Sequence, residues 1–139
     1  MMTSPTTKHP GPTEIAVAVV EHAGRYLIGL RPAGAALAGY WEFPGGNIRA
    51  GELPAEAATR ECREETNLAV RVIGSYATIE HDYPHGRLRL HFFACVLADE
   101  SVGPEEAPER FRWVTAAELN GYRFPPANDA ILRVLCREK

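Results

Sequence analysis

The alternation of apolar and polar positions predicts a chain in which strands and helices are mixed. The run Ile15–Val20 is continuously apolar, which is typical of a strand buried on both faces. A glycine-containing turn over His22–Arg25 separates it from a second predicted strand at Tyr26–Leu30. Two further strands are predicted at Val70–Ile79 and Leu88–Leu97, with the turn between them at Pro84–Gly86.

The clearest helix is predicted over Pro54–Thr66. Pro54 suits the first helical position, and Glu56 favours the positive end of the helix dipole. The interior contains no glycine or further proline, and Asn67 is a residue that adopts the left-handed conformation in which helices often end. We therefore expect the helix to end at Thr66.

The C-terminal third predicts a short strand and two helical segments. Phe111–Val114 has the composition of a strand, and Thr115 is a suitable cap for a one- or two-turn helix that runs through Leu119. From Pro126 onward the apolar positions recur with helical spacing. Because these elements do not alternate strictly as strand, helix, strand, the expected fold class is α/β, with a mixed sheet between flanking helices.

Composition and charge limit the class of protein. The 139 residues suffice for one domain, expected over residues 14–139 after a Pro- and Thr-rich tail at 1–13. A net charge of −3 gives no reason to expect a nucleic acid polymer or a membrane as partner. Cys62, Cys95 and Cys136 are widely spaced, so they suggest neither a disulfide framework nor a metal site. We expect a cytoplasmic protein, either a monomer or a homodimer.

Three carboxylates share one face of the predicted helix. Glu61, Glu64 and Glu65 stand at positions i, i+3 and i+4, where like charges repel one another. A solvated acidic face balanced by Arg60 and Arg63 is one interpretation. The other is a site for Mg²⁺ or Mn²⁺, both of which prefer carboxylate oxygens.

The spacing around these carboxylates resembles the Nudix box, GX5EX7REUXEEXGU, over its full span. Gly46 is followed after five residues by Glu52 and after seven more by Arg60–Glu61, and Glu64–Glu65 follow. Two positions depart from the family pattern. Asn67 replaces a glycine, and Cys62 replaces a larger aliphatic residue, which we interpret as a core position and not as a nucleophile.

Membership of the Nudix hydrolases would imply an α/β/α sandwich fold. It would also imply an enzyme that uses Mg²⁺ and an attacking water to cleave a nucleoside diphosphate linked to another group. The implied metal ligands are Glu61, Glu64, Glu65 and the carbonyl oxygen of Gly45. Glu52 and Arg60 would form an orienting ion pair, and Glu105 or Glu106 could add a ligand. A bound divalent cation would let the acidic helix accept an anionic pyrophosphate.

The similarity extends beyond the box and narrows the expected substrate. Trp41–Gly46 (WEFPGG) and Phe124–Asn128 (FPPAN) resemble the MutT subfamily, which hydrolyses 8-oxo-dGTP to the monophosphate and pyrophosphate. This resemblance implies a small nucleotide as partner. Another Nudix substrate, such as a cytidine triphosphate or ADP-ribose, and a non-catalytic nucleotide-binding module remain alternatives.

Four residues are candidates for substrate binding. The side-chain amide of Asn128 presents an acceptor beside a donor, which matches the N7–H and O6 of an 8-oxopurine, although a helix cap is an equally ordinary role for it. Phe43 would read the base through its main chain, unless its ring belongs to the core. Arg31 matches a subfamily arginine near the nucleotide, and Arg87 falls near another across a one-residue gap in the alignment. A solvated surface side chain is the alternative for each. The spacing of His81, His85 and His91 matches no common metal-binding pattern.

Overall fold

The computed structural model describes residues 11–84, 86–99 and 107–137. The strands in these ranges are β1 (Thr13–His22), β2 (Arg25–Leu30), β3 (Trp41–Glu42), β4 (Gly45–Asn47), β5 (Val70–Tyr83), β6 (Gly86–Leu97) and β7 (Phe111–Thr115). The helices are α1 (Pro54–Thr66), α2 (Ala116–Leu119) and α3 (Asp129–Arg137), and a 3₁₀ helix spans Pro126–Asn128. No helix of the described residues is long and apolar enough to cross a membrane.

Strand β1 is the centre of a mixed seven-stranded sheet. One edge of β1 pairs in parallel with β6, and its other edge pairs antiparallel with β4 and then with β2. Strand β5 continues the sheet beyond β6, while β3 and β7 pair with β2. The sequence-based expectation of a mixed sheet is therefore confirmed.

Alternate residues of β1 are buried in two different cores. Val17 and Val19 face a cluster that includes residues of α2 and α3, whereas Ala16 and Ala18 face α1. The small alanines of β1 meet the equally small Ala57 and Ala58 of α1, so this helix packs closely on the sheet. Helices thus cover both faces, as expected for an α/β/α sandwich.

The largest differences from the predicted elements lie at strand ends and in β4. The β5–β6 hairpin extends beyond the predicted strands, to Tyr83 on one side and from Gly86 on the other. Strand β4 was not predicted, because glycines are poor strand formers and its pairing with β1 is supplied by the rest of the fold. Residues 1–10 of the expected tail and His85 of the expected turn lie outside the described residues, and β1 begins at Thr13.

Both ends of α1 are stabilised by hydrogen bonds. At the start, the Leu53 N–H donates to Glu56 Oε1 at 3.1 Å, which offsets the lack of a polar side chain at position 53. At the end, Asn67 has a φ of 65° and donates its N–H to Arg63 O at 2.9 Å. The helix has the predicted bounds.

The cysteines are free thiols. Cys62 and Cys95 are buried between α1 and the sheet, whereas Cys136 is partly exposed. Burial raises the pKa of Cys62 to about 11 and that of Cys95 to about 12. Both thiols are therefore protonated near neutral pH, in keeping with a packing role for Cys62.

We expect Asn67→Ala to lower the free energy of unfolding by about 1 kcal/mol, because alanine tolerates the left-handed conformation less well than asparagine. Asn120→Ala is the matched control, since Asn120 ends α2 in the right-handed conformation with a φ of −64°. Urea denaturation of both variants measures the difference. Equal stability of the two variants would contradict this account of the α1 C-terminus.

Candidate active site

Strand β4 lies where two features of the structure meet. Helix α1 covers one face of the sheet, and a cavity of about 300 Å³ opens beside the apolar residues Ile15 and Val17 on the other. Gly45 contributes to both features, since it lines the cavity and donates its N–H to Glu65 Oε1 at 3.3 Å.

Close packing explains the two consecutive glycines of β4. A Cβ atom at Gly45 would overlap the carbonyl oxygen of Ala16 in β1. A Cβ atom at Gly46 would lie only 2.6 Å from both carboxylate oxygens of Glu61. Glycine at both positions therefore allows β4 to approach β1 and the acidic face of α1 at the same point.

Glu61, Glu64 and Glu65, hereafter the carboxylate cluster, project from α1 toward β4 and its surroundings. Arg60 Nη1 lies 3.0 Å from Glu61 Oε2 and 3.3 Å from Glu64 Oε1. One cationic nitrogen thus bridges two carboxylates that would otherwise repel each other. The structure brings these predicted site residues together.

Glu52 holds Arg60 by two hydrogen bonds. Arg60 Nε donates to Glu52 Oε2 at 2.6 Å, and Nη2 donates to Glu52 Oε1 at 2.9 Å. The bonds from Arg60, together with the Arg49 N–H, lower the pKa of Glu52 to about 2. Arg60 also donates to Asn47 O at 3.0 Å, so this pair ties the loop before α1 to β4. The geometry is that of the orienting ion pair expected from the sequence.

Glu65 has the most perturbed carboxyl group of the cluster. Burial, followed by the charge of Glu42 and, less strongly, that of Glu61, raises the pKa of Glu65 to about 7. The N–H of Gly45 and the charge of Arg110 act in the opposite direction. A positive charge placed among these carboxylates would relieve their mutual repulsion.

The donor atoms suit a hard divalent cation. The cluster and the Gly45 carbonyl supply only oxygen ligands, which Mg²⁺ and Mn²⁺ prefer. Within the described ranges no three His, Cys, Asp or Glu side chains form a ready-made metal site. Arg60 supplies the positive charge in the present arrangement, so metal binding would require Glu61 and Glu64 to change partners.

The cavity combines an apolar floor with a few polar groups at its rim. Its apolar walls come from β1 and β6 and from Phe43, whose buried ring packs against Phe124 with centroids 5.2 Å apart. The polar lining residues are Arg31, Glu42, Asn47, Tyr83 and Asn128. Such a combination is typical of pockets for small organic ligands.

Asn128 is buried at the edge of the cavity, with 7% of its surface exposed. Its backbone N–H and its side-chain Nδ2 both donate to Pro125 O, at 3.0 and 3.3 Å. A helix cap would instead accept a hydrogen bond from the first turn of α3. The side chain of Asn128 is thus oriented by Pro125, and its role in binding a base stays a prediction.

The two candidate arginines lie in different surroundings. Arg31 lines the cavity, donates to Glu42 Oε1 at 2.6 Å, and donates through Nε to Ala36 O at 2.6 Å. Arg87 is exposed, pairs with Asp82 at 2.7 Å, and is not among the residues that line the cavity. A role for Arg87 in binding stays a prediction.

Of the other residues that the sequence analysis considered, those that the structure describes do not lie in the carboxylate cluster. The ring of His81 contacts that of Tyr83 in a tilted arrangement, with centroids 4.5 Å apart, and His91 lies 2.7 Å from a carboxylate oxygen of Glu14. Glu105 and Glu106 lie outside the described residues.

Sequence reasoning missed three contributors to the site. Glu42 binds Arg31 through one oxygen and Arg110 through the other, at 2.6 and 3.1 Å, and Arg110 lies 3.8 Å from Glu65. The hydroxyl of Tyr83 accepts a hydrogen bond from Ala127 N at 3.1 Å. No local spacing joins Glu42 to Arg110, or Tyr83 to Ala127, so the sequence offered no signal for either contact.

We expect Glu52→Gln to weaken Mn²⁺ binding by about tenfold or more, because Arg60 would lose its anionic partner Glu52 and pair more strongly with Glu61 and Glu64, which it already contacts. Electron paramagnetic resonance of free Mn²⁺ measures the dissociation constant. Glu80→Gln is the control, since it removes an exposed pair with Arg89 of similar length, 2.9 Å. Wild-type affinity in the Glu52 variant would contradict the orienting role.

Comparisons with known proteins identify the family of the chain. Residues 15–134 match the NUDIX domain family. The 8-oxo-dGTP diphosphatase of Escherichia coli K12 is 32% identical over 89% of this chain and 96% of its own length. The CTP pyrophosphohydrolase of the same organism is also 32% identical, over 86% and 87% of the two chains. The solution structure of MutT from methicillin-resistant Staphylococcus aureus 252 superposes with a TM-score of 0.75 at 26% identity, covering 94% of this chain and all of that one. The chain therefore belongs to the Nudix hydrolase family.

Proposed function

We propose that this Nudix hydrolase converts 8-oxo-dGTP to 8-oxo-dGMP and pyrophosphate in the cytoplasm, with Mg²⁺ as cofactor and Mn²⁺ as a substitute. The observation that carries the proposal is the meeting of the cavity and the carboxylate cluster at Gly45. A nucleotide whose base enters the cavity would extend its phosphates toward α1. The similarity to 8-oxo-dGTP diphosphatases supports the same substrate.

Asn128 would select the oxidised base. Its Nδ2 donates one hydrogen to Pro125 O and keeps a second for the O6 of the base, while Oδ1 would accept from the N7–H of an 8-oxopurine. Unmodified guanine has an acceptor at N7, which would face the acceptor Oδ1. Such a mismatch in a buried site costs roughly 1–3 kcal/mol.

The residues around β4 would serve the phosphates. Glu61, Glu64, Glu65 and the Gly45 carbonyl would hold the cation, which when bound neutralises phosphate charge and acidifies water. Glu52 would keep Arg60 in place, and a carboxylate of the cluster would accept a proton from the attacking water. Arg31 would add a positive charge at the cavity rim.

A cytidine triphosphate is the second candidate substrate. The 32% identity to a CTP pyrophosphohydrolase is as high as the identity to the E. coli 8-oxo-dGTP diphosphatase. Phosphate chemistry would be the same for both, so the base alone distinguishes the two proposals. Cytosine also presents a donor beside an acceptor, N4–H and N3, so the substrate preference measured in solution must distinguish the two proposals.

Steady-state hydrolysis of 8-oxo-dGTP, dGTP and CTP with Mg²⁺ tests the proposal, with pyrophosphate and phosphate measured separately. We expect kcat/KM for 8-oxo-dGTP to exceed that for dGTP by about tenfold or more, because only the oxidised base satisfies Asn128. Pyrophosphate should be the released product. A higher kcat/KM for CTP, or equal values for 8-oxo-dGTP and dGTP, would contradict the proposed substrate.

A further inference from the structure

The segment that carries Asn128 has an unusual need for an external hydrogen-bond acceptor. The 3₁₀ helix Pro126–Asn128 begins with a proline, and the N–H of Ala127 comes too early to reach an acceptor within the helix. Ala127 is buried, with 3% of its surface exposed, so its N–H needs a partner from elsewhere in the protein. The hydroxyl of Tyr83 accepts this hydrogen bond at 3.1 Å.

Tyr83 belongs to a distant part of the chain. It is the last residue of β5 and pairs with Gly86 across the β5–β6 hairpin. Its side chain lines the cavity, as do Ala127 and Asn128. The hydrogen bond therefore connects two walls of the cavity that are 44 residues apart in the sequence.

The amide of Asn128 is coupled to this connection. Because its N–H and its Nδ2 both bind Pro125 O, the side chain is tied to the backbone of the same short helix. The ring of Phe124 packs on Phe43 at the start of the segment, but an apolar contact of this kind does not set the orientation of a peptide group. The hydrogen bond from the Ala127 N–H to the Tyr83 hydroxyl is directional and supplies that constraint.

We propose that Tyr83 is a positioning residue for base selection, which acts by fixing the helix that carries Asn128 through the hydrogen bond to Ala127. This proposal rests on the proposed function of the cavity. Discrimination between N7–H and an unprotonated N7 requires the amide to be held within about 0.5 Å of its productive position. A loosened helix would let the amide adjust to either base, so selectivity would fall while the phosphate chemistry at α1 continued.

Tyr83→Phe tests the proposal, because it removes the accepting hydroxyl and keeps the ring. Tyr122→Phe is the matched control, since that hydroxyl accepts from Arg112 Nη1 at 3.3 Å and does not line the cavity. We would measure kcat and KM for 8-oxo-dGTP and dGTP with Mg²⁺, together with Tm. Calorimetric titration with 8-oxo-dGMP would give the affinity without turnover.

We expect Tyr83→Phe to reduce the ratio of kcat/KM values, 8-oxo-dGTP over dGTP, by roughly five- to thirtyfold. The change should arise mainly from a higher KM for 8-oxo-dGTP, with weaker binding of 8-oxo-dGMP and kcat within about twofold of wild type. Tyr122→Phe should leave the ratio unchanged. The double variant Tyr83→Phe/Asn128→Ala should show the same ratio of kcat/KM values as Asn128→Ala alone, because Tyr83 acts through Asn128.

Two results would overturn the role of Tyr83 while leaving the proposed function intact. In the first, the wild type prefers 8-oxo-dGTP and Tyr83→Phe keeps the same preference. In the second, Tyr83→Phe loses kcat equally on both substrates, as a purely structural role would produce. A wild-type enzyme without the preference is a different failure. It would contradict the proposed substrate and, with it, the selection that Tyr83 is proposed to support.

Discussion

The close approach of β4 to both β1 and α1 is the constraint on which the site depends. Because Gly45 and Gly46 lack side chains, the Ala16 carbonyl and the Glu61 carboxylate can both pack against the same short strand. This contact places the acidic face of a helix beside a cavity that opens on the opposite face of the sheet. A Cβ atom at Gly45 would meet the backbone of β1 and push the layers apart, whereas one at Gly46 would displace the Glu61 carboxylate.

Charge balance is the second requirement of this arrangement. Four carboxylates approach one another around β4, and arginines offset them. Arg60 bridges Glu61 and Glu64, and Arg110 lies between Glu42 and Glu65. Arg31 and Arg49 pair with Glu42 and Glu64, respectively. Glu52 fixes Arg60 through a contact of 2.6 Å. Burial is the main cause of the raised pKa of Glu65 and the charges of Glu42 and Glu61 add to it, so a cation nearby would favour the ionised carboxylate.

Local features of the chain predicted the fold class, the bounds of α1 and the carboxylate cluster, because each depends on residues close together in sequence. The same reasoning missed β4, whose glycines have low strand propensity and pair only because β1 is already in place. It also missed the contacts of Glu42 with Arg110 and of Tyr83 with Ala127, across 68 and 44 residues. Contacts of that kind follow from the tertiary structure and have no periodic signature.

The central claim is that the cavity holds the base while the carboxylate cluster, which meets the cavity at Gly45, holds a divalent cation. Nuclear magnetic resonance of ¹⁵N-labelled protein tests it directly, by titration with 8-oxo-dGMP and then with Mn²⁺. The account predicts that the nucleotide shifts the signals of Phe43 and the Asn128 side-chain amide. Mn²⁺ should then broaden the signals of Gly45, Gly46 and the C-terminal half of α1. Nucleotide-induced shifts confined to α2 and α3, or Mn²⁺ broadening that spares β4, would contradict it.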